Sequence, residues 1–454
     1  MDTPIADFVE RYARSGAVRL HMPGHKGKPI LGCEPWDITE IHGADALYEA
    51  EGIIAQSERN TSALFGSGRT VYSTEGSSQC IKAMLYLALT CRPAGTAPVI
   101  LAARNVHRSF VHAAALLDFE PVWLWPEDSR SLCGCPISAQ ALERALEALP
   151  APPAAVYLTS PDYLGGTADI SALSAVCRRH GTILAVDNAH GAYLRFLHPS
   201  RHPLDLGADL CCDSAHKTLP ALTGGAYLHV GKNAPAAFRE NAKTAMAPFG
   251  STSPSYLTLA SLDRCVRYLS EGYPARLAGL AESLEALRSR LRGRGWQVEE
   301  SDPLRLTIAA PAGMTGGDLA ARLRRGGIEC EYADPSFLVL MVTPENTGAE
   351  LSRLEEVLGT NNRPRRDLPA LPLAKGERVV SVRRALFAPH ESVPVEEALG
   401  RICAAPTVSC PPAIPIAVSG ERIGPAAVEL LRYYGAERVD VLTEPGESRH
   451  SRAL

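Results

Sequence analysis

The spacing of apolar positions changes period along this chain, and each change predicts an element. Residues 53–65 carry helical spacing and stop at Gly66-Ser67-Gly68. A short strand over 70–73 leads into Glu75-Gly76-Ser77-Ser78, and a helix follows through Ile81, Met84, Leu85 and Leu89. The pattern then becomes regular. Strands are predicted over 98–102, 122–125, 155–159, 182–186, 208–212 and 225–230, with helices over 109–117, 139–149 and 170–180 between the earlier ones. Short apolar strands alternating with helices imply a mostly parallel sheet covered on both faces. Two long helices, 256–269 and 275–291, precede a smaller αβ layer. Its strands are expected over 304–309, 328–332 and 337–342, closed by a helix over 349–358. The Pro-rich, charged stretch from Thr360 to Lys375 reads as a linker, and the residues after Glu444 as a frayed tail.

Composition narrows the class. The 454 residues are 46% hydrophobic and 21% charged, enough for two or three domains with a large core. Forty-six basic residues against 50 acidic ones argue against a nucleic-acid binder. Twelve scattered cysteines fit free thiols in a reducing compartment. The acidic start Met1-Asp2-Thr3-Pro4 does not resemble a signal peptide, and no apolar run is long enough to span a bilayer. A cytoplasmic enzyme or binding protein is expected.

Five polar clusters carry the candidate chemistry. Lys217 stands in Ser214-Ala215-His216-Lys217 just after a predicted buried strand, where open α/β folds build sites. A desolvated lysine forms Schiff bases; alternatively it is a surface lysine in a loop. Asp187 ends another apolar strand and is followed by Asn188-Ala189-His190. A buried acid there needs a cationic partner, such as a pyridinium nitrogen; the plainer reading is a helix N-cap. Gly76, Ser77 and Ser78 open a helix and offer an anion site or merely a cap. His107, in Arg104-Asn105-Val106-His107, lies where a ring could cover a planar cofactor, or simply near a helix start. The hydroxyl cluster 251–255, with Thr252, reads on its own as a cap. Taken together, a phosphate cradle, a ring cover, an acid and a lysine in this order match the requirements of pyridoxal phosphate. No dinucleotide-binding glycine motif, P-loop or zinc motif competes, and no metal is expected.

These residues resemble the ornithine/lysine/arginine decarboxylase family of fold-type I pyridoxal-phosphate enzymes. The resemblance runs through HMPGHKG at 21–27, DITE at 37–40, STEGSS at 73–78, RNVHRS at 104–109, VDNAHGA at 186–192, SAHKTLPALTGGA at 214–226, STSPSY at 251–256 and CPPAIPIAVSGERI at 410–423. It implies a short form without an N-terminal receiver-like domain. The expected organisation is an arm (1–40), a cofactor-binding large α/β domain (41–272), a small αβ domain (273–360), a linker (361–375) and a C-terminal α+β domain (376–454). Lys217 is then the Schiff-base lysine, Asp187 the partner of the ring nitrogen and His107 the stacking ring. Ser77, Ser78, Ser214 and His216 surround the phosphate or the Schiff base, Gly76 belongs to the same cofactor site, and His190 packs near the ring. Thr252 reaches the phosphate of a second subunit, so a homodimer or larger homo-oligomer with its site at the interface is implied. Glu421 is expected to shape the substrate end.

The implied reaction is decarboxylation of arginine, lysine or ornithine to agmatine, cadaverine or putrescine, without nucleic-acid or membrane partners. The chain departs from the family pattern at Glu75, Asp162, Asn188, Cys410, Ala413 and Ser419. An aminotransferase, aldolase or β-eliminating lyase, or a catalytically silent paralogue, shares the same scaffold. The group that would receive the cationic end of the substrate is not evident from sequence.

Overall fold

A computed structural model describes residues 1–92, 94–127, 130–368, 370–406 and 412–443. Cys410 and the expected tail lie outside the described residues. Seven strands form the main sheet: β1 (Arg69–Ser73), β2 (Ala97–Ala103), β3 (Glu120–Leu124), β4 (Pro153–Thr159), β5 (Ile183–Asp187), β6 (Leu210–Asp213) and β7 (Ala226–Val230), in the order β1-β7-β6-β5-β4-β2-β3. Pairs from β3 through β6 are parallel, and β7 runs antiparallel to both neighbours. Strands β4 to β7 are almost wholly buried because helices cover both faces. That burial explains their continuous apolar runs.

Parallel strands direct their carboxyl ends to one edge of the sheet. Ala103, Thr159, Asp187 and Asp213 therefore end together, and the loops that follow them carry the polar clusters. The helix Ile53–Phe65 stops as expected, with Gly66 in the left-handed region at φ 68°.

The small domain is a four-stranded antiparallel sheet of β8 (Gln297–Val298), β9 (Arg305–Ala309), β10 (Tyr332–Ala333) and β11 (Phe337–Met341), in the order β10-β11-β9-β8. The strand expected over 328–332 shrinks to the two residues of β10. Ile328 to Glu331 instead form the turn leaving the helix Gly316–Arg325, and Ile328 N–H bonds back to Leu323 O. Beyond the linker, β12 (His390–Pro394) pairs antiparallel with β13 (Arg438–Leu442) beside the helix Pro425–Tyr433. This unit docks on the large domain: Val382 and Val418 join the large-domain core, and Arg383 donates to Ala115 O at 2.9 Å.

Pro4–Arg14 is a helix whose Ile5, Ala6 and Val9 are buried against the large domain. Asp263 accepts from the N–H groups of Ile5 and Ala6 and fixes its start. The chain then runs exposed, with Val18, Leu20, Met22, Ile30 and Leu31 open to solvent.

Candidate active site

A cavity of about 540 Å³ opens at the carboxyl edge of the sheet. Its wall includes Gly76, Ser77, Ser78, His107, Asp187, His190, Ser214, His216 and Lys217, nine of the ten residues expected from sequence. The tenth, Thr252, is exposed and does not line this cavity. Its neighbour Ser255 is the helix cap, accepting from Thr258 N–H.

Each side chain is placed by a strand end. Lys217 lies in the four-residue helix Ala215–Thr218 between β6 and β7. It is not a surface lysine: its Nζ lies 2.9 Å from His190 Nε2. Burial lowers its pKa, and the charge of Asp187 opposes that shift. His190 follows β5 and is buried. Desolvation, reinforced by Lys217, drives its pKa far below the usual value, so its ring is neutral.

Asp187 closes β5. Its Oδ2 accepts from Tyr157 Oη at 3.1 Å and its Oδ1 from Ala189 N–H at 3.2 Å. No helix starts there, so it is not an N-cap. Burial raises its pKa and Lys217 pulls it back. Beside it stands a buried polar cluster not anticipated from sequence. Asp213 Oδ2 lies 3.0 Å from His202 Nε2 and 3.2 Å from His229 Nε2, and Asn188 donates to Asp213 Oδ1 at 2.7 Å. The two imidazoles hold Asp213 well below the ordinary carboxylate range. Cys211 adjoins the cluster, and its thiol is pushed up by burial.

His107 caps the helix Arg108–Leu117, accepting from Ser109 N–H through Nδ1. The cap and the cavity wall are therefore the same residue. Desolvation and Lys217 push its pKa down to about 3. Ser109 Oγ bonds onward to Ser78 Oγ at 2.9 Å, tying two walls together. Ser77–Thr90 starts at Gly76 (φ 70°) without a side-chain cap, leaving its first N–H groups facing the cavity.

The remaining wall comes from distant parts of the chain. Cys133, Thr159, Tyr163 and Glu331 line it, as do Pro412, Ala413 and Ile414 of the C-terminal unit. Arg108 N–H donates to Ala413 O at 2.8 Å, which seats that segment. The sequence offered one usable signal here, since Tyr163 lies just past the end of β4. Glu331 had none. Glu421 does not line the cavity. It is buried against Arg104, 3.7 Å away, and Arg104 also donates to Pro415 O and Ile416 O at 2.7 and 2.8 Å. Its place is to hold the C-terminal unit, not to shape the substrate end.

The donor set fits pyridoxal phosphate. Ser214 Oγ and Thr159 Oγ1 are buried without a hydrogen-bond partner, as is His190 Nδ1. An uncapped helix N-terminus, two serines, a buried acid and a desolvated lysine share one cavity of ligand size.

Comparison with known proteins agrees. The family model "Orn/Lys/Arg decarboxylase, major domain" matches residues 3–297, and "Orn/Lys/Arg decarboxylase, C-terminal domain" matches residues 379–446. The chain is 31% identical to the uncharacterised protein YaaO of Bacillus subtilis, covering 95% of this chain and 94% of that one. It is 28% identical to the arginine decarboxylase of the same organism, over 93% and 91% of the two chains. Among solved structures, the lysine decarboxylase LdcF of Francisella novicida superimposes with a TM-score of 0.77 at 17% identity, over 97% of this chain and 81% of that one. Sphingomonas wittichii serine palmitoyltransferase gives 0.56 at 16%, over 79% and 82%. At such identities the structural likeness is one of fold.

Proposed function

Since this chain belongs to the Orn/Lys/Arg decarboxylase family, and so is a pyridoxal-phosphate-dependent decarboxylase of a basic amino acid, we propose that its substrate is arginine and its products agmatine and CO₂. The aminotransferase, aldolase, β-elimination and silent-paralogue alternatives give way to decarboxylation. Arginine is favoured because several relatives that align over nearly the whole chain are named arginine decarboxylases. The observation that carries the reading is the convergence of Lys217, His190 and Asp187 at one strand edge within one cavity.

Pyridoxal phosphate, when bound, supplies an electron sink for the pair left at Cα by departing CO₂. The residues of this chain do the rest. Gly76, Ser77 and Ser78 offer N–H and hydroxyl donors to a phosphate, with Ser214 and His216 beside them. Asp187 would pair its buried carboxylate with the pyridine nitrogen, and His107 would offer a neutral ring to the cofactor's face. Lys217 would hold the cofactor through Nζ. Burial lowers its pKa, which favours the unprotonated, nucleophilic form of the amine. The neutral His190, 2.9 Å from Lys217 Nζ, orients that amine by a hydrogen bond, so that Lys217 can deliver a proton to Cα.

The reading includes a homodimer in which Thr252 of one copy reaches the other's phosphate end. The exposed position of Thr252 and the run of exposed apolar residues from Val18 to Leu31 support it. It also places the enzyme in the cytoplasm, in keeping with eleven free cysteines among the described residues. No helix among those residues is long and apolar enough to cross a membrane.

The test is product analysis by mass spectrometry of holoenzyme given arginine, lysine and ornithine together. Agmatine is expected, and it should vanish in Lys217→Ala, with a loss of at least ~10²-fold. Cadaverine or putrescine instead would move the substrate, and no amine at all would sink the proposal. Light scattering of the holoenzyme should give twice the chain mass.

A further inference from the structure

The buried cluster around Asp213 takes no part in the chemistry described above, yet it bonds to the segment that carries that chemistry. Asp213 ends β6, Asn188 follows β5 directly and His229 lies on β7, so the cluster ties three adjacent strands. Asp213, Asn188, His202 and His229 have no solvent exposure. The carboxylate is fully engaged. Its Oδ2 faces both imidazoles, and its Oδ1 accepts from Asn188 Nδ2 at 2.7 Å and from the Cys211 thiol at 3.5 Å. The imidazoles are fixed in turn. Leu204 N–H reaches His202 Nδ1 at 3.4 Å, which leaves Nε2 as the donor to Asp213. His229 Nδ1 lies 2.8 Å from Thr70 Oγ1 on β1.

Asn188 passes this rigidity to the site. Its N–H donates to Cys212 O at 3.0 Å, and its carbonyl accepts from Gly191 N–H at 2.7 Å, which closes a tight turn. His190 is the third residue of that turn. The turn admits no side chain at its end: a Cβ on Gly191 would lie 2.0 Å from Asn188 Oδ1 and 2.7 Å from Pro161 Cδ. The His190 ring has little else to hold it. Nδ1 is buried without a hydrogen-bond partner, Nε2 meets Lys217 Nζ, and Tyr163 packs edge-on against the ring. Lys217 stands four residues after Asp213. Asp213, Asn188, His190 and Lys217 therefore form a closed ring of two hydrogen bonds and two short runs of backbone. Fixing the first bond fixes where the second can form.

We propose that Asp213 and Asn188 are positioning residues that hold His190 against the Lys217 amine and so keep that amine in its dry, reactive setting. Neither residue lines the cavity. The inference rests on the reading of Lys217 as the residue that holds the cofactor, and deepens it. The paired imidazoles keep Asp213 ionised inside the core. In that state both oxygens accept, and neither can turn to Asn188 as a donor.

The test reads the lysine itself. Full-length protein freed of cofactor is mixed with pyridoxal phosphate at a series of pH values, and the rate of Schiff-base formation is followed by absorbance. The cofactor's own ionisations are common to every variant and cancel in the comparison. Asp187, Cys212, Arg305, Glu331, His107 and His216, which also act on Lys217, are unchanged throughout. Asn188→Ala should move the midpoint of the profile up by about one pH unit, toward an exposed lysine, because a loosened turn admits water to the amine. Asp213→Ala should shift it likewise, and Asp213→Asn, which keeps an oxygen for Asn188, should recover most of the shift. In the holoenzyme, Asn188→Ala should lower kcat more than it raises KM. Leu142→Ala, in the core beneath the helix Ala139–Glu147 and outside the cavity wall, should lower the urea midpoint and leave the pH midpoint in place. An unmoved pH midpoint in Asn188→Ala, or an equal shift in Leu142→Ala, overturns the proposal. Failure of the reading beneath it is distinct, because wild-type protein would then form no Schiff base at all.

Discussion

Replacing Arg104 with Met should loosen the C-terminal unit and damage the active site from a distance. Arg104 and Glu421 are both buried, with side chains 8% and 7% exposed. The guanidinium lies 5.1 and 5.4 Å from the rings of Trp123 and Trp125 and binds the carbonyls of Pro415 and Ile416. At 3.7 Å, with an effective dielectric of ~20, the gross attraction to Glu421 is about 4–5 kcal/mol. Arg104→Met forfeits that attraction and two charge-assisted hydrogen bonds, and it leaves Glu421 without its cation. The net cost should be about 3–5 kcal/mol, as for other broken buried pairs. Urea unfolding at pH 7, followed by tryptophan fluorescence, measures it, since Trp123 and Trp125 report release of the guanidinium. A cycle with Glu421→Gln should give a coupling of about 1–3 kcal/mol. Because Ala413 and Ile414 line the cavity, Arg104→Met should also raise KM. A cycle that closes within about 0.5 kcal/mol would refute the argument.

Three further outcomes follow from the geometry. His107 stays neutral in the fold down to about pH 3, whereas the unfolded chain takes up the proton near 6.5. Its contribution to stability is present above pH 6.5 and is lost as pH falls toward 3, so His107→Phe should flatten the pH dependence by roughly 1.4 kcal/mol per unit in that window. Asp162 has the opposite sign. Burial raises its pKa to about 6 against 3.8, so its contribution is lost as pH rises from about 4 to 6. Asp162→Asn should become relatively more stable over that interval, and urea midpoints at successive pH values check both variants. Gly224 sits at φ +93°, and an added Cβ would lie 2.7 Å from Thr74 O. Gly224→Ala should cost about 2 kcal/mol or more and weaken cofactor retention in dialysis, and an unchanged urea midpoint would contradict this.

Local signals made the large domain legible. The apolar run 182–186 predicted β5 to within one residue, and Gly66 ended its helix where the spacing failed. Elements that depend on tertiary support were missed or overextended. The run 328–332 has strand composition, yet only Tyr332 and Ala333 find a partner in β11. The helix Pro4–Arg14 escaped notice because its stripe, Ile5, Ala6 and Val9, is short and its start is fixed by Asp263, far along the chain. The helix Gly316–Arg325 carries a capping box at Thr315 and Asp318 that went unread. Within the site, residues at strand ends were readable because strand ends are where such folds place chemistry. Glu331, Cys133 and Ile414 were not, because only the folded arrangement brings three separate units to one wall.

The wall formed by residues 412–414 also orders events during synthesis. Lys217 leaves the ribosome roughly 10–40 s before that segment at ordinary elongation rates. In this interval the large domain can fold, but its cavity lacks one side. A chain stalled or cleaved before residue 412 would carry Lys217, Asp187, His107 and His190 and leave them open to bulk water on one side. The fourth side of the cavity therefore belongs to chains that have been made past residue 414.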